Sequence, residues 1–207
     1  VGSFGYFISP IFTNYSLANN GWADTLYYFI IFLLIGFIIS YFVKSPSLTQ
    51  NLEKPNNQTT AQALFEAFKT KSYLLLISGF FVCGFHITLV GTHVPKYVID
   101  RGLENWTAAA ILSLIGLFNI FGSLLSGYLS TKISKKIILS SIYFLRGISI
   151  ILFIFLPASN LNAFIFGASF GFLWLSTVPA TSGIVAHLFG TKYLGLLYGI
   201  VFLSHQN

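Results

Sequence analysis

Methionine is absent from this chain, cysteine occurs once, and only 8% of the 207 residues carry a charge. With no methionine even at position 1, and with both ends in apolar sequence (Val1-Gly-Ser-Phe4 and Val201-Phe-Leu-Ser204), the expectation is an internal piece of a longer protein. Targeting signals are then unreadable, because they sit at a true N-terminus. The lone cysteine, Cys83, excludes a disulfide framework and a paired-thiolate metal site. It lies in an apolar run, where a free cysteine behaves as a small hydrophobe, and a packing role is expected. The charge content is about a third of the roughly 25% typical of soluble domains. With acids so scarce and none inside an apolar run except Asp24 at an edge, paired carboxylates for hydrolysis are excluded. There is no Gly-rich phosphate loop with Lys-Ser/Thr and no Ser/His/Asp or Cys/His constellation, so neither an enzyme nor a bound cofactor or metal is expected. The net charge of +6 does not point to nucleic acid, because the basic residues sit in loops and form no stripe.

What remains is apolar length. Mean hydropathy is +0.79, and a membrane-spanning helix needs about 20 mainly apolar residues. Five complete spans are read at roughly 23–43, 72–95, 107–129, 137–156 and 163–187, with partial spans at about 1–13 and 193–207. Their continuity argues for helices, since outer-membrane strands are about 10 residues long and alternate strictly. The fold class is therefore an all-α polytopic membrane protein whose first partner is the lipid bilayer. The connections alternate in charge. Lys44, Lys54, Lys69 and Lys71 lie in 44–71, Lys132, Lys135 and Lys136 in 130–136, and Lys192 in 187–193. The intervening connections hold only Lys96 and Arg101, offset by Asp100 and Glu104, or no charge at all at 157–162. By the positive-inside bias the lysine-rich loops face the cytoplasm.

The one long connection, 44–71, is a polar linker that ends in Thr60-Ala-Gln-Ala-Leu-Phe-Glu-Ala-Phe-Lys69. There Leu64, Phe65 and Phe68 share a helical face, which predicts a short amphipathic helix on the membrane surface. Such a linker either joins two helix sets or is a simple long loop. Glycine and serine are dense in two spans (Gly116, Gly122, Ser126, Gly127; Gly167, Gly171), where small residues let helices approach closely in lipid.

Polar groups inside a span are costly, so each is a candidate site. His86 and His93 are seven residues apart and share one helical face. They either take up a proton or contact an anion, or each donates to a neighbouring carbonyl. Arg146 lies about 10 residues inside its span and requires a partner: a carbonyl, a substrate anion or a segment outside the chain. The span 163–187 holds Trp174, Ser176, Thr177, Pro179, Thr181 and Ser182, and its proline predicts a kink whose freed carbonyl is met by hydroxyls. Asn119 is the polar group of 107–129, and His205 and Gln206 close the chain.

The turn Gly127-Tyr-Leu-Ser-Thr-Lys-Ile-Ser-Lys-Lys136 resembles the signature loop of the major facilitator superfamily, with Gly127, Lys132, Lys135 and Lys136 in place, Thr131 where that loop has Asp and Ser134 where it has Gly. Ser78–His86, Gly91–Tyr97, Trp174–Gly183 and Phe202–Gln206 look like bacterial members of its monocarboxylate/oxalate-formate transporter branch. The resemblance implies part of a 12-helix fold. Residues 1–43 would end the N-terminal bundle, 44–71 would be the cytoplasmic linker, and 72–207 would form the C-terminal bundle, truncated in its eleventh helix. It implies that His86, His93, Trp174 and Thr177 face the substrate, that Asn119, His205 and Gln206 belong to the same pathway, and that Arg146 sits on a peripheral helix. The turn at 127–136 would be the cytoplasmic gate. The implied function is secondary active transport of a small organic solute, a monocarboxylate-like anion, with proton coupling left open. The alternatives are efflux of amphipathic compounds or a membrane sensor without transport.

The sidedness is testable in the full-length protein. Cysteine introduced at Lys132 is expected to react with an impermeant maleimide only from the cytoplasmic side, and cysteine at Ala158 only from outside. The reverse labelling pattern would overturn the orientation.

Overall fold

The computed structural model describes residues 2–42 and 59–206, so the predicted linker lies largely outside the described residues. Its elements are α1 (Gly2–Tyr41), α2 (Thr60–Lys69), α3 (Lys71–Asp100), α4 (Asn105–Leu129), α5 (Lys135–Phe155), α6 (Asn160–Leu173), α7 (Thr177–Phe189) and α8 (Leu194–Ser204). Helix is the form these sequences take because lipid offers no partner to a backbone N–H or C=O, and a helix satisfies both internally. Gly2–Tyr41, Lys71–Asp100, Asn105–Leu129, Lys135–Phe155 and Asn160–Phe189 are long and apolar enough to cross a membrane.

The first of these reverses on itself. Gly21 has φ +79° and ψ −179°, outside the helical region, and only glycine adopts that combination without steric cost. Phe12 meets Tyr28, Phe29 and Phe32 with ring centroids 5.6–6.1 Å apart, although in a straight helix residues 12 and 32 would be about 30 Å apart. The arms 2–20 and 22–41 are therefore antiparallel. Ser16 and Thr25, both buried, share a hydroxyl hydrogen bond of 2.8 Å near the reversal, and Thr25 Oγ1 also donates to the Gly21 carbonyl. The partial span read at 1–13 is thus longer, reaching the turn.

α2 begins with a reciprocal capping box: Thr59 Oγ1 accepts from the Gln62 N–H, and Gln62 Oε1 accepts from the Thr59 N–H. Its buried face is built of small residues. Ala63 and Ala67 are buried with Leu64 beside them, whereas Phe65 is 65% and Phe68 47% exposed. Small residues let α2 lie close on α3, so the phenylalanines turn outward. Phe65 lies under the Lys69 ammonium, and the Phe68 ring meets Tyr73 edge-on. Gly102 (φ +84°) ends α3 with its N–H on the Ile99 carbonyl, and Gly190 (φ +74°) ends α7.

α4 is the central plate. On one side Gly171 and Gly167 bring α6 against it, and on the other Gly116 lies directly on the backbone of Tyr6 and Phe7 in the arm 2–20. A Cβ at Gly171 would stand 2.5 Å from Ile115 Cα, so backbone, not a flexible side chain, sets that limit. Around the plate Phe153, Phe166 and Phe170 stack in sequence at centroid distances of 4.1 and 5.3 Å, and Trp174 meets Phe170 edge-on at 5.5 Å, tying α5 to α6. A second apolar cluster joins α3, α7 and α8 through Tyr73, Phe80, Val185, Leu197 and Val201. Gly84 accommodates the His205 carbonyl there, so the end of α8 rests on α3.

Gly171→Val is expected to destabilise the protein by about 1–3 kcal/mol, because α4 and α6 must separate. Gly147→Ala, where a Cβ meets nothing within 4 Å, should leave stability within about 0.5 kcal/mol. Thermal unfolding of the two variants in detergent provides the comparison.

Candidate functional site

The span read as one kinked helix over 163–187 is two helices. α6 stops at Leu173 and α7 starts at Thr177, so the break at Trp174–Ser176 precedes Pro179 by about a turn. The offset has a direct cause. A proline lacks the N–H that would bond the carbonyl four residues earlier, and its ring collides with that carbonyl. For Pro179 that carbonyl belongs to Leu175, which instead accepts from the Val178 N–H at 3.0 Å. The backbone groups released around it must find partners, and side chains of α4 and α5 supply them.

Arg146 supplies most. It is fully buried on α5. Its Nε donates to the Leu173 carbonyl at 3.1 Å, and Nη2 donates to the same carbonyl at 2.6 Å and to the Trp174 carbonyl. Nη1 donates to Cys83 Sγ at 3.0 Å. Of the three partners open in the sequence, the structure selects carbonyls. They are the last carbonyls of α6, where the helix carries partial negative charge, so a fixed guanidinium is stabilised there without any carboxylate. Its planar fork holds donors to two successive carbonyls and to Cys83 in a fixed geometry, where an ammonium is a compact point charge on a flexible stem. The Tyr143 and Phe170 rings lie 5.8 and 6.0 Å from the guanidinium carbon.

Asn119 and Ser126 of α4 satisfy the rest. Asn119 Oδ1 accepts the Leu175 N–H at 2.9 Å, and its Nδ2 donates to Ser3 Oγ of the arm 2–20 at 2.8 Å. Ser126 Oγ donates to the Ser176 carbonyl, and Ser176 Oγ donates to the Phe172 carbonyl at 2.6 Å. The break is thus held from α4 and α5 together. The sequence offered a signal for Ser126 that was read as packing: it lies seven residues after Asn119 and so on the same face. Cys83, read as a small hydrophobe, is a hydrogen-bond acceptor, and it lies 3.5 Å from Thr177 Oγ1.

The other expected site residues separate into inner and outer sets. Trp174 and Thr177 are buried, Trp174 between Tyr6 and Phe170 and Thr177 on Cys83. His205 is buried, stacked on Phe202 and 5.0 Å from the Phe80 ring, while Gln206 is exposed. His86 is half-buried with Nδ1 lacking a partner, and His93 is exposed two turns along α3. In the turn after α4, Thr131, which stands where the signature has an acid, donates to the Tyr128 carbonyl. Lys132 lies over the Tyr128 ring. Gly127 is unconfined, whereas Lys135 packs on Gly183 and, with Lys136, lines a cleft of about 650 Å³ that also takes in Tyr143 and His187. A second cleft, about 660 Å³, lies between the arm 2–20 and the ends of α3 and α4, with Tyr6, Thr13, Asn14 and Asn105 among its lining residues and no charged one.

These helices carry the expected turn, and the model of one family, the Major Facilitator Superfamily, matches residues 1–206. The chain belongs to the Major Facilitator Superfamily. Its members are membrane transporters rather than enzymes, and this facilitator-family chain is an integral membrane protein. It is 29% identical over 137 residues to the uncharacterized MFS-type transporter YcxA of Bacillus subtilis (strain 168), a match covering 64% of this chain and 33% of the relative. It is 23% identical over 174 residues to monocarboxylate transporter 12-B of Danio rerio, covering 80% of this chain and 36% of that one. The chain spans about a third of the length of the curated relatives it matches.

Arg146→Lys is expected to lower stability by about 1–3 kcal/mol, since the charge survives but one carbonyl loses its donor. Cys83→Ala should cost less, because sulfur is a weak acceptor. Unfolding in detergent followed by tryptophan fluorescence, with Trp174 at the break, would order the two; a larger loss for Cys83→Ala would contradict the assignment.

Proposed function

We propose that the full-length protein is a secondary active transporter that moves a small organic solute, a monocarboxylate-like anion, by alternating access coupled to protons. In this reading residues 1–43 close one helix bundle, 44–71 link it through the cytoplasm, and 72–207 form most of the other bundle. The turn at 127–136 is its cytoplasmic gate, with Lys132, Lys135 and Lys136 as the basic cluster. Family membership and the relative named as a monocarboxylate transporter support the class of solute.

One structural observation carries the coupling. Apart from Asp24 beside the Gly21 reversal, Arg146 is the only charged side chain away from helix ends within the membrane-length helices among the described residues, and its fork is committed to carbonyls. An anion near the midplane then needs positive charge from a group that takes up a proton as the anion arrives. His86 and His93 place two such groups on one face of α3, and histidine titrates near physiological pH. Binding of the anion and of the proton favour each other, so the pair crosses without net charge. Around His86 stand Phe85 on its own helix and Arg146 from α5.

The uncharged cleft beside the arm 2–20 supports a second reading, efflux of neutral amphipathic compounds.

Proteoliposomes holding the full-length protein separate the two. An inward proton gradient is expected to drive accumulation of a labelled monocarboxylate, with the rate falling as pH rises. His86→Ala with His93→Ala should lower uptake about tenfold or more and flatten that profile. Unchanged uptake and pH dependence in the double variant would refute the histidine role, and gradient-driven export of a neutral amphipath without monocarboxylate flux would favour the second reading.

A further inference from the structure

The break at Trp174–Ser176 and the arm 2–20 belong to distant parts of the chain, yet they are joined twice. Tyr6 and Trp174 have ring centroids 5.8 Å apart. Independently, Ser3 Oγ, the Asn119 amide and the Leu175 N–H form a continuous hydrogen-bonded line through α4. Asn119 is 2% exposed, so neither end of its amide has water to turn to. Its orientation is set by need at both ends: only the oxygen can accept from the Leu175 N–H, and only the nitrogen can donate to the serine. The plate permits this because glycines thin it on both sides. Gly116 lies on the Tyr6–Phe7 backbone, and Gly122 lies against the Phe172 carbonyl and 2.7 Å from Ser176 Oγ, measured to the Cβ it lacks. Asn119 stands between them, one turn from each.

The caps on the break differ in kind. Arg146 and Ser126 come from α5 and α4, which pack directly on α6 and α7, and they hold carbonyls. Asn119 alone holds an N–H, and among these caps it alone is itself held by the arm.

We infer that Asn119 is a positioning residue, a latch through which the arm 2–20 holds the α6–α7 break in this geometry. Movement of the arm away from α4 removes Ser3 from the amide, which frees Asn119 to turn and release the Leu175 N–H. Arg146 keeps α6 capped meanwhile, so the break loosens at one bond without unravelling. This rests on the alternating-access reading, in which the arm and the break lie in different bundles. For that reason the test is a structural one that needs no flux.

The test is amide hydrogen exchange, read by mass spectrometry, on the full-length protein in nanodiscs with residues numbered as here. Ser3→Ala is expected to accelerate exchange in the segment 173–178 about 3- to 10-fold, the effect of losing one hydrogen bond's support, while 160–168 stays at the wild-type rate. Ser3→Thr, which keeps a hydroxyl at the same place, should restore slow exchange. Asn119→Ala should accelerate 173–178 at least as much as Ser3→Ala. The latch is overturned if Ser3→Ala leaves 173–178 unchanged while Asn119→Ala accelerates it, which would make Asn119 a local cap only. It is equally overturned if exchange rises uniformly along α6 and α7, the mark of general loosening. Flux measurements on the same preparations report separately on the transport reading. Absent flux with the local exchange response intact would sink that reading and leave the latch contact standing.

Discussion

A guanidinium buried in the bundle, bonded to the carbonyls that end α6, is the constraint on which the rest of this structure depends. Burying a charge at membrane depth is costly, and the cost is offset only where strong acceptors are already in place. Pro179 creates those acceptors by preventing one continuous helix, and Arg146 then makes the interrupted backbone tolerable in lipid. Neither feature stands alone. An unbroken helix would leave the guanidinium without acceptors, and a break without the guanidinium would leave the Leu173 and Trp174 carbonyls unpaired.

From that knot the architecture follows outward. Cys83 brings α3 to the same guanidinium, and Thr177 brings α7 to the same sulfur, so helices α3, α5, α6 and α7 meet at one polar point inside apolar walls. α4 serves a different purpose. With glycine at its contacts it approaches both the arm 2–20 and α6 at backbone distance, and the single amide of Asn119 can then reach both. In lipid, where apolar association is weak, such close approach and interhelical hydrogen bonding do the work that apolar burial does in a water-soluble core.

Much of this was legible in the residues. Four of the spans emerged within a few residues of α3, α4, α5 and the second arm of α1, because continuous apolar length maps onto helix length. The facilitator-type turn was visible as well, and its family is borne out. The need of Arg146 for a partner was legible but the partner was not, since carbonyls are everywhere in sequence and available only where a helix stops. The carbonyl freed by Pro179 was legible too, but its partner is the Val178 N–H and not a hydroxyl. In α2 the helical periodicity groups Leu64, Phe65 and Phe68 on one face of a surface helix. It is silent on the face toward α3, which Ala63 and Ala67 take because close approach favours small side chains. The contacts that bury Trp174 on Tyr6 and Thr177 on Cys83 join residues far apart in the chain, which no local pattern could show.

The sequence by itself determined that this is a membrane protein of helices, because hydropathy and helix length are properties of local runs read against a bilayer of given thickness. It carried the family too, in the turn at 127–136 together with stretches such as Trp174–Gly183, since the family's model matches along residues 1–206. Only the tertiary structure decided which carbonyls receive Arg146, which way the Asn119 amide points and which polar residues are sealed inside. Those choices depend on where distant helices come within about 3 Å of each other, a distance that no local run of residues encodes.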